Sequence, residues 1–230
     1  MFNHIENEYR KEGNKIGIEV VRVLVNNFGE IQFPPQKTQE SLDLLDKEWQ
    51  RQVNKLVKLG FHKELGMTKK AYVESLPKFT SQPESFKRRF DISVIVDPRI
   101  NWQRQCELAE IRNYISSENI KDWEDDPKGY KTPEFSYIVW MQDGTKNLNK
   151  SVKKVRQNLS EDERGATLYD GLSLAIFHPE IMKKHNIDLP GTSVGFDHAP
   201  YLFGFSSVLK LTFNWVSNHF SNWGSFSCGR

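Results

Sequence analysis

The sequence predicts an α+β fold, a central mixed sheet of at least four strands covered by helices, with an N-terminal hairpin or arm. Three observations carry this. A long stretch after residue 38 repeats apolar residues at helical spacing. Two short runs, near 92–97 and 135–141, are rich in the β-branched and aromatic residues of strands, with a helix-like stretch between them that would cross over. Six Trp, seven Tyr and fifteen Phe supply buried area for a core, although 27% of residues are charged and 37% hydrophobic. At 230 residues the chain suits one large domain, or a domain with an appendage.

Taken in order, "GIEVVRVLVNNFGEIQF" (Gly17 to Phe33) reads as a β-hairpin, with Asn26-Asn27-Phe28-Gly29 as its turn. Pro34-Pro35 then breaks the chain, so residues 1–37 form a hairpin arm or small subdomain and 38–230 the main domain. Leu42, Leu45, Trp49, Val53, Leu56 and Val57 share one helix face, and Gly60 ends that helix. A shorter helix spans Thr68 to Leu76, capped by Thr68 and stopped by Pro77. "FDISVIVDP" is a buried strand stopped by Asp97-Pro98. In "INWQRQCELAEIRNYI", Trp102, Cys106, Ala109 and Tyr114 fall on one helix face. Asp122 to Lys131 reads as a loop, and Phe135 to Met141 as a strand running into an Asp143-Gly144 turn.

A polar helix follows in "NKSVKKVRQNLSEDERGA", with Ser160 and Glu163 in capping-box spacing after it. Thr167 and Asp170 repeat that spacing before the stripe Leu168, Leu172, Ala175 and Ile176. Pro179 ends this helix and suits the first position of a second one, Pro179 to Lys184. "DLPGTSVGFDHAP" (Asp188 to Pro200), rich in Gly and Pro, reads as a loop, and the stretch from Tyr201 to Trp215 as late strands able to pair antiparallel. Trp223 and Phe226 predict a packed tail.

Charge and cysteine usage limit the function classes. With 32 basic and 30 acidic residues the net charge is +2, which argues against nucleic acid as the main partner. Cys106 and Cys228 form no CxxC pair, and two cysteines in a chain this long fit a reducing compartment. The N-terminus is charged and no run of 18 apolar residues occurs, so a cytoplasmic protein without a membrane span is expected.

Several phrases together carry a resemblance: "EWQRQVNKLVKLGFHKELGMTKKAYVESL" (Glu48 to Leu76), "TPEFSYIVWMQDG", "RGATLYDGLSLAIFHPEIM", "LPGTS" and the closing "GSFSCGR". These resemble a bacterial domain family of unknown function, over about Lys47 to Arg230, leaving residues 1 to about 40 outside. The resemblance implies a cytoplasmic bacterial protein and carries over no catalytic residue.

Two stretches hold candidate ligand-binding residues. In the first, Arg164, Asp170 and His178 surround the ends of the 168–177 helix, where a helix N-terminus favours anions and a histidine acts as acid, base or donor. The plainer reading is a salt bridge and a helix cap. In the second, Gly191-Thr192-Ser193 offers N–H groups and hydroxyls to an anion, and Asp197-His198 a polar pair. Here the plainer reading is a tight loop bonding its own backbone. No HExxH or HxH spacing links the histidines, so no metal and no cofactor is expected. Cys106 reads as a core thiol and Cys228 as a packed one, and neither Cys228 nor Ser173 sits in a nucleophile motif.

These observations favour a non-catalytic module that binds an unspecified small molecule or protein. One alternative is a hydrolase-type enzyme using His178 or the Asp197/His198 pair. Another is nucleic-acid binding through Lys87 to Arg89 and Lys153 to Arg156, together with Trp102 and Trp140. Adjacent acidic runs favour solvated surface for both basic clusters. The sequence leaves oligomeric state open.

Overall fold

The computed structural model describes residues 39–116, 120–206 and 208–230, and the side chains from residue 43 onward. The predicted hairpin at 17–33, the break at Pro34-Pro35 and the side chain of Leu42 lie outside the described residues. The chain divides into two units, Met1–Ser41 and Leu42–Arg230.

Helix α1 spans Gln39–Leu59. Its predicted stripe faces the core: Trp49, Val53 and Leu56 are buried, and Leu45 and Val57 half-buried. Gly60 ends it at φ +89°, a left-handed cap that suits glycine. One short turn, α2 (Phe61–Glu64), leads to α3 (Lys69–Glu74), where the Thr68 hydroxyl accepts from the Ala71 N–H at 3.2 Å.

Strand β1 (Ile92–Val96) is buried from Ser93 to Val96. Asp97 stops it and is held by the Tyr72 hydroxyl at 3.0 Å and by Arg99 at 2.6 Å. Helix α4 (Trp102–Leu108) is shorter than its periodicity predicts. Glu110 turns left-handed at φ +56°, and β2 (Arg112–Asn113) pairs with a late strand instead of continuing the helix. Trp102 and Cys106 keep the predicted buried face, while Tyr114 leaves it and is 52% exposed. After β3 (Ile120–Asp122) the chain reaches β4 (Tyr137–Met141), which pairs antiparallel to β1 with Val94 opposite Val139. The expected crossover between these strands is therefore not made.

Helix α5 (Val152–Gln157) starts at Ser151, whose hydroxyl accepts from the Lys154 N–H. The box spacing of Ser160 and Glu163 does not open a helix. Glu163 begins strand β5 (Glu163–Gly165), and the Ser160 hydroxyl bonds Asp162 and Glu163 across a turn. Helix α6 (Leu168–Phe177) follows with the full Thr167/Asp170 capping box. Apart from Asp170 and Ser173 it is largely apolar, and it packs on β1, on α4 and on the later strand His198–Phe205, so almost no face of it is exposed.

The predicted helix Pro179 to Lys184 is a series of turns, because Ile181 and Met182 are drawn into the core and the chain must reverse into β6 (Asn186–Asp188). The predicted loop from Asp188 to Pro200 is also corrected. It holds β7 (Thr192–Val194) and the start of β8 (His198–Phe205), since neighbouring strands claim its backbone. Strand β9 (Val208–Trp215) runs antiparallel to β8 along its length, as expected. The tail is packed, as β10 (Trp223–Ser225) and β11 (Ser227–Gly229) with Phe226 buried between them.

The α+β class holds, and the strands form two sheets, of which the larger is the expected mixed sheet of at least four strands. The first, ordered β1-β4-β11-β5, is antiparallel throughout. The second runs β10-β6-β8-β7-β3, with β9 beside β8 and β2 beside β9. It is the mixed one, because β10 with β6 and β2 with β9 are parallel. Among the described residues no helix is long and apolar enough to cross a membrane.

Candidate functional site

Arg164 on β5 and Asp170 on α6 meet in the core, 2.5 Å apart, with both guanidinium ends on the carboxylate. Asp170 also accepts from the Tyr137 hydroxyl at 2.8 Å and from the Thr167 N–H at 2.7 Å. The Tyr130 ring lies 3.9 Å from the Arg164 guanidinium carbon. Burial opposes ionisation of Asp170, yet Arg164 and these hydrogen bonds hold its carboxyl below the usual range. Arg164 is 3% exposed and Asp170 fully enclosed, and neither borders one of the described clefts. This pair ties β5 to α6. Cys228 lies beside it, and burial pushes its thiol well up, away from thiolate chemistry.

His178 lies at the other end of α6, roughly 12 Å along the helix from Asp170 at 1.5 Å per residue. The structure does not bring the two together. His178 sits between Arg51, at 3.5 Å, and Glu180, at 3.3 Å. The side chain that satisfies the helix end is Arg51, which donates to the Phe177 carbonyl at 3.1 Å.

In the second stretch the anion cradle is closed. The Gly191 N–H donates to the Ala166 carbonyl at 2.8 Å, the Thr192 N–H to Leu189, and Ser193 lies in the β3–β7 ladder. The Thr192 hydroxyl accepts from the Leu168 N–H at 2.8 Å. Gly191 is required here, since a Cβ would stand 2.5 Å from the Gly165 carbonyl oxygen. His198 stacks on Trp215 with ring centres 4.1 Å apart, and Asp197 is exposed beside it.

Asp197 borders a cleft of about 410 Å³ between Trp123, Trp215, Arg156 and Lys153. Backbone bonds fix its walls: Lys153 N–H to the Val216 carbonyl, Val216 N–H to Asp197, and Trp123 N–H to Gly191. Arg156 is the anchor. Its Nε donates to the Pro190 carbonyl at 2.9 Å, and its Nη2 to the Thr192 carbonyl at 3.0 Å and the Ser193 hydroxyl at 3.3 Å. The Trp123 ring lies 4.7 Å from its guanidinium carbon. Its Nη1 has no hydrogen-bond partner among the described residues. Burial pulls the Arg156 pKa down to about 10, with Asp125 acting the other way, so the group stays charged at neutral pH. Two indoles, two cations and the carboxylates Asp125 and Asp197 thus surround one opening.

The chain matches no family model, no curated protein and no solved structure. Thr192, Ser193, Asp197 and His198 border the cleft or support its walls, whereas Arg164, Asp170 and His178 lie elsewhere. The sequence pattern missed Trp123 and Trp215, because they reach the cleft from segments 92 residues apart. It also placed Arg156 on a solvated face, because a half-buried arginine inside "KKVR" differs from its neighbours only in what folds over it. The proposed nucleic-acid surface is not assembled as expected: Trp102 is buried and Arg89 is engaged by Asp162 at 2.6 Å.

Proposed function

We propose that this chain is a non-catalytic small-ligand-binding module, and that the Trp123–Trp215 cleft is its recognition site. The observation that carries the reading is Arg156, committed through Nε and Nη2 to carbonyls and a hydroxyl, with Nη1 left unpartnered where the residue lines the cleft. A cation fixed in advance loses little freedom when it meets an anion. The volume lies in the range of ligand pockets, which are commonly concave and aromatic-lined with a few placed polar groups. The ligand class is a ring-bearing anion, with the ring against indole and its carboxylate or phosphate toward Arg156 and Lys153.

The hydrolytic alternative gains no support from the geometry. His178 faces Arg51 and Glu180, and His198 stacks on aromatic rings, so neither has a hydroxyl or thiol nucleophile among its described partners. Two free, buried thiols support placing the protein in a reducing compartment.

The test uses benzoate, AMP and glucose as a ring carboxylate, a ring phosphate and a neutral ring. Indole fluorescence and the thermal midpoint are followed during titration. An anionic ring is expected to quench fluorescence and raise the midpoint, and Trp215→Ala or Lys153→Ala to remove both effects. No response to either anion, or a response that survives both substitutions, overturns the reading.

A further inference from the structure

The hairpin of β8 and β9 has a second face that the cleft does not use. Leu202 and Leu211 are paired and fully buried, so they define the core side. Trp215, four residues from Leu211, stands on that same side. The opposite side carries Tyr201, Phe203 and Phe205 at two-residue steps, roughly 6.8 Å apart along the strand. Trp223 extends this row, its ring 4.3 Å from Tyr201, and Phe220 lies 4.8 Å beyond Trp223. Phe205 is 61% and Phe220 47% exposed, an open arrangement for rings that a core would enclose.

Cations sit among these rings. Lys210 is registered opposite Phe203, and its ammonium lies 4.6 Å from the Phe205 ring centre and 5.6 Å from that of Phe203. Arg112 on β2 is registered beside Lys210 and is exposed. Neither forms an ion pair among the described residues. The carboxylate registered on this side, Asp188 opposite Tyr201, is buried and lies below the surface.

We propose that this sheet face binds single-stranded nucleic acid, with bases stacking on the Tyr201–Phe203–Phe205 row and phosphates meeting Lys210 and Arg112. Successive aromatic side chains on an open sheet match a polymer whose bases present successive π-faces, and the interleaved cations match its charged links. A duplex hides its base faces and fits poorly. A neutral glycan makes no use of the two cations, Lys210 and Arg112, which have no ion pair among the described residues. The whole-chain charge of +2 averages over all surfaces and does not describe this one. The surface is also distinct from Lys87–Arg89 and Lys153–Arg156.

The experiment follows fluorescence anisotropy of labelled oligo(dT) and oligo(U) with the full chain, against a duplex of equal length. Both single strands should bind, the duplex more weakly, with affinity falling steeply between about 50 and 200 mM salt. Phe203→Ala with Phe205→Ala should weaken binding at least about fivefold. Lys210→Ala should lower the slope of log affinity against log salt by about one. Trp215→Ala, in the cleft, should leave binding unchanged, so this proposal and the cleft reading fail separately. If the double phenylalanine variant does not fold, Lys210→Ala and Arg112→Ala carry the test, since both cations lie at the surface. No anisotropy change at about 50 mM salt, equal binding of duplex, or binding indifferent to these substitutions overturns the proposal. So does self-association through this face, seen as a dimer in sedimentation that Phe205→Ala dissolves.

Discussion

Asp188 places a carboxyl group inside the second sheet, 3% exposed, with no cation paired to it among the described residues. Burial pushes its pKa up to about 8. Below about pH 4 the folded and unfolded chains both hold this proton. Between that pH and about 8 the unfolded chain releases it while the fold retains it, so stability falls as pH rises. Asp188→Asn removes this loss. Its thermal midpoint should exceed wild type by more at pH 9 than at pH 5, each kcal/mol appearing as roughly 2–4 °C. Asp170 and Glu163 act the other way, because their folded pKa values are lowered, and stability they contribute is lost as pH falls through them. Asp170→Asn leaves Arg164 enclosed without a counter-charge and should cost about 3–5 kcal/mol in urea unfolding. Cys106 and Cys228 are buried and their thiols are pushed up, Cys106 to about 12. Both should resist a disulfide reagent in the native state and react once the chain is unfolded.

At the level of elements, short-range chemistry explains where most helices begin. Thr68, Ser151 and Thr167 each accept an N–H from the first turn that follows. Thr68→Ala, at an exposed cap, should cost about 1 kcal/mol in urea unfolding without altering ligand binding. Junctions between elements depend on close backbone approach instead. Gly165 and Gly191 touch where β5 leads to α6 and where β6 leads to β7. A methyl at Gly191 meets the Gly165 carbonyl, and Gly191→Ala should destabilise by about 1–3 kcal/mol and loosen the wall that holds Arg156. That double effect would appear as a lowered urea midpoint together with weaker ligand quenching. The Ser160–Glu163 spacing shows why a capping pattern alone is insufficient. Ser227 donates to Glu163 and Lys146 pairs with it, so the segment is held as an edge strand of the first sheet.

Across the whole molecule, α6 links the two sheets. It is buried on nearly every side and packs on β1 of the first sheet and β8 of the second. Its amides should therefore exchange among the slowest in the chain, near the rate set by global unfolding, while those of β2 exchange faster. Hydrogen-exchange mass spectrometry checks this directly. The β8–β9 hairpin has one function on each side in this reading, the cleft at Trp215 and the open aromatic face at Phe203 and Phe205. Ligand and oligonucleotide should then bind together without competition, measurable by repeating the anisotropy titration at saturating ligand.

Periodicity, caps and breakers settled a good deal from the sequence alone. They fixed the α+β class, the Trp49–Leu56 stripe, the Gly60 and Thr68 caps, the β1 and β4 runs, the Thr167/Asp170 box and the packed tail. Each depends on residues within a few positions of one another, which interact whatever the rest of the chain does. The tertiary structure decided the rest. It determined that β4 returns antiparallel to β1, that "TSV" becomes a strand, and that Arg112 leaves its helix to pair with Lys210. It also determined that Arg156 is held by Pro190 and Thr192, and that Trp123 and Trp215 face one cleft. These outcomes rest on hydrogen bonds and burial between segments distant in sequence. Short-range patterns carry no record of which distant segment supplies the partner.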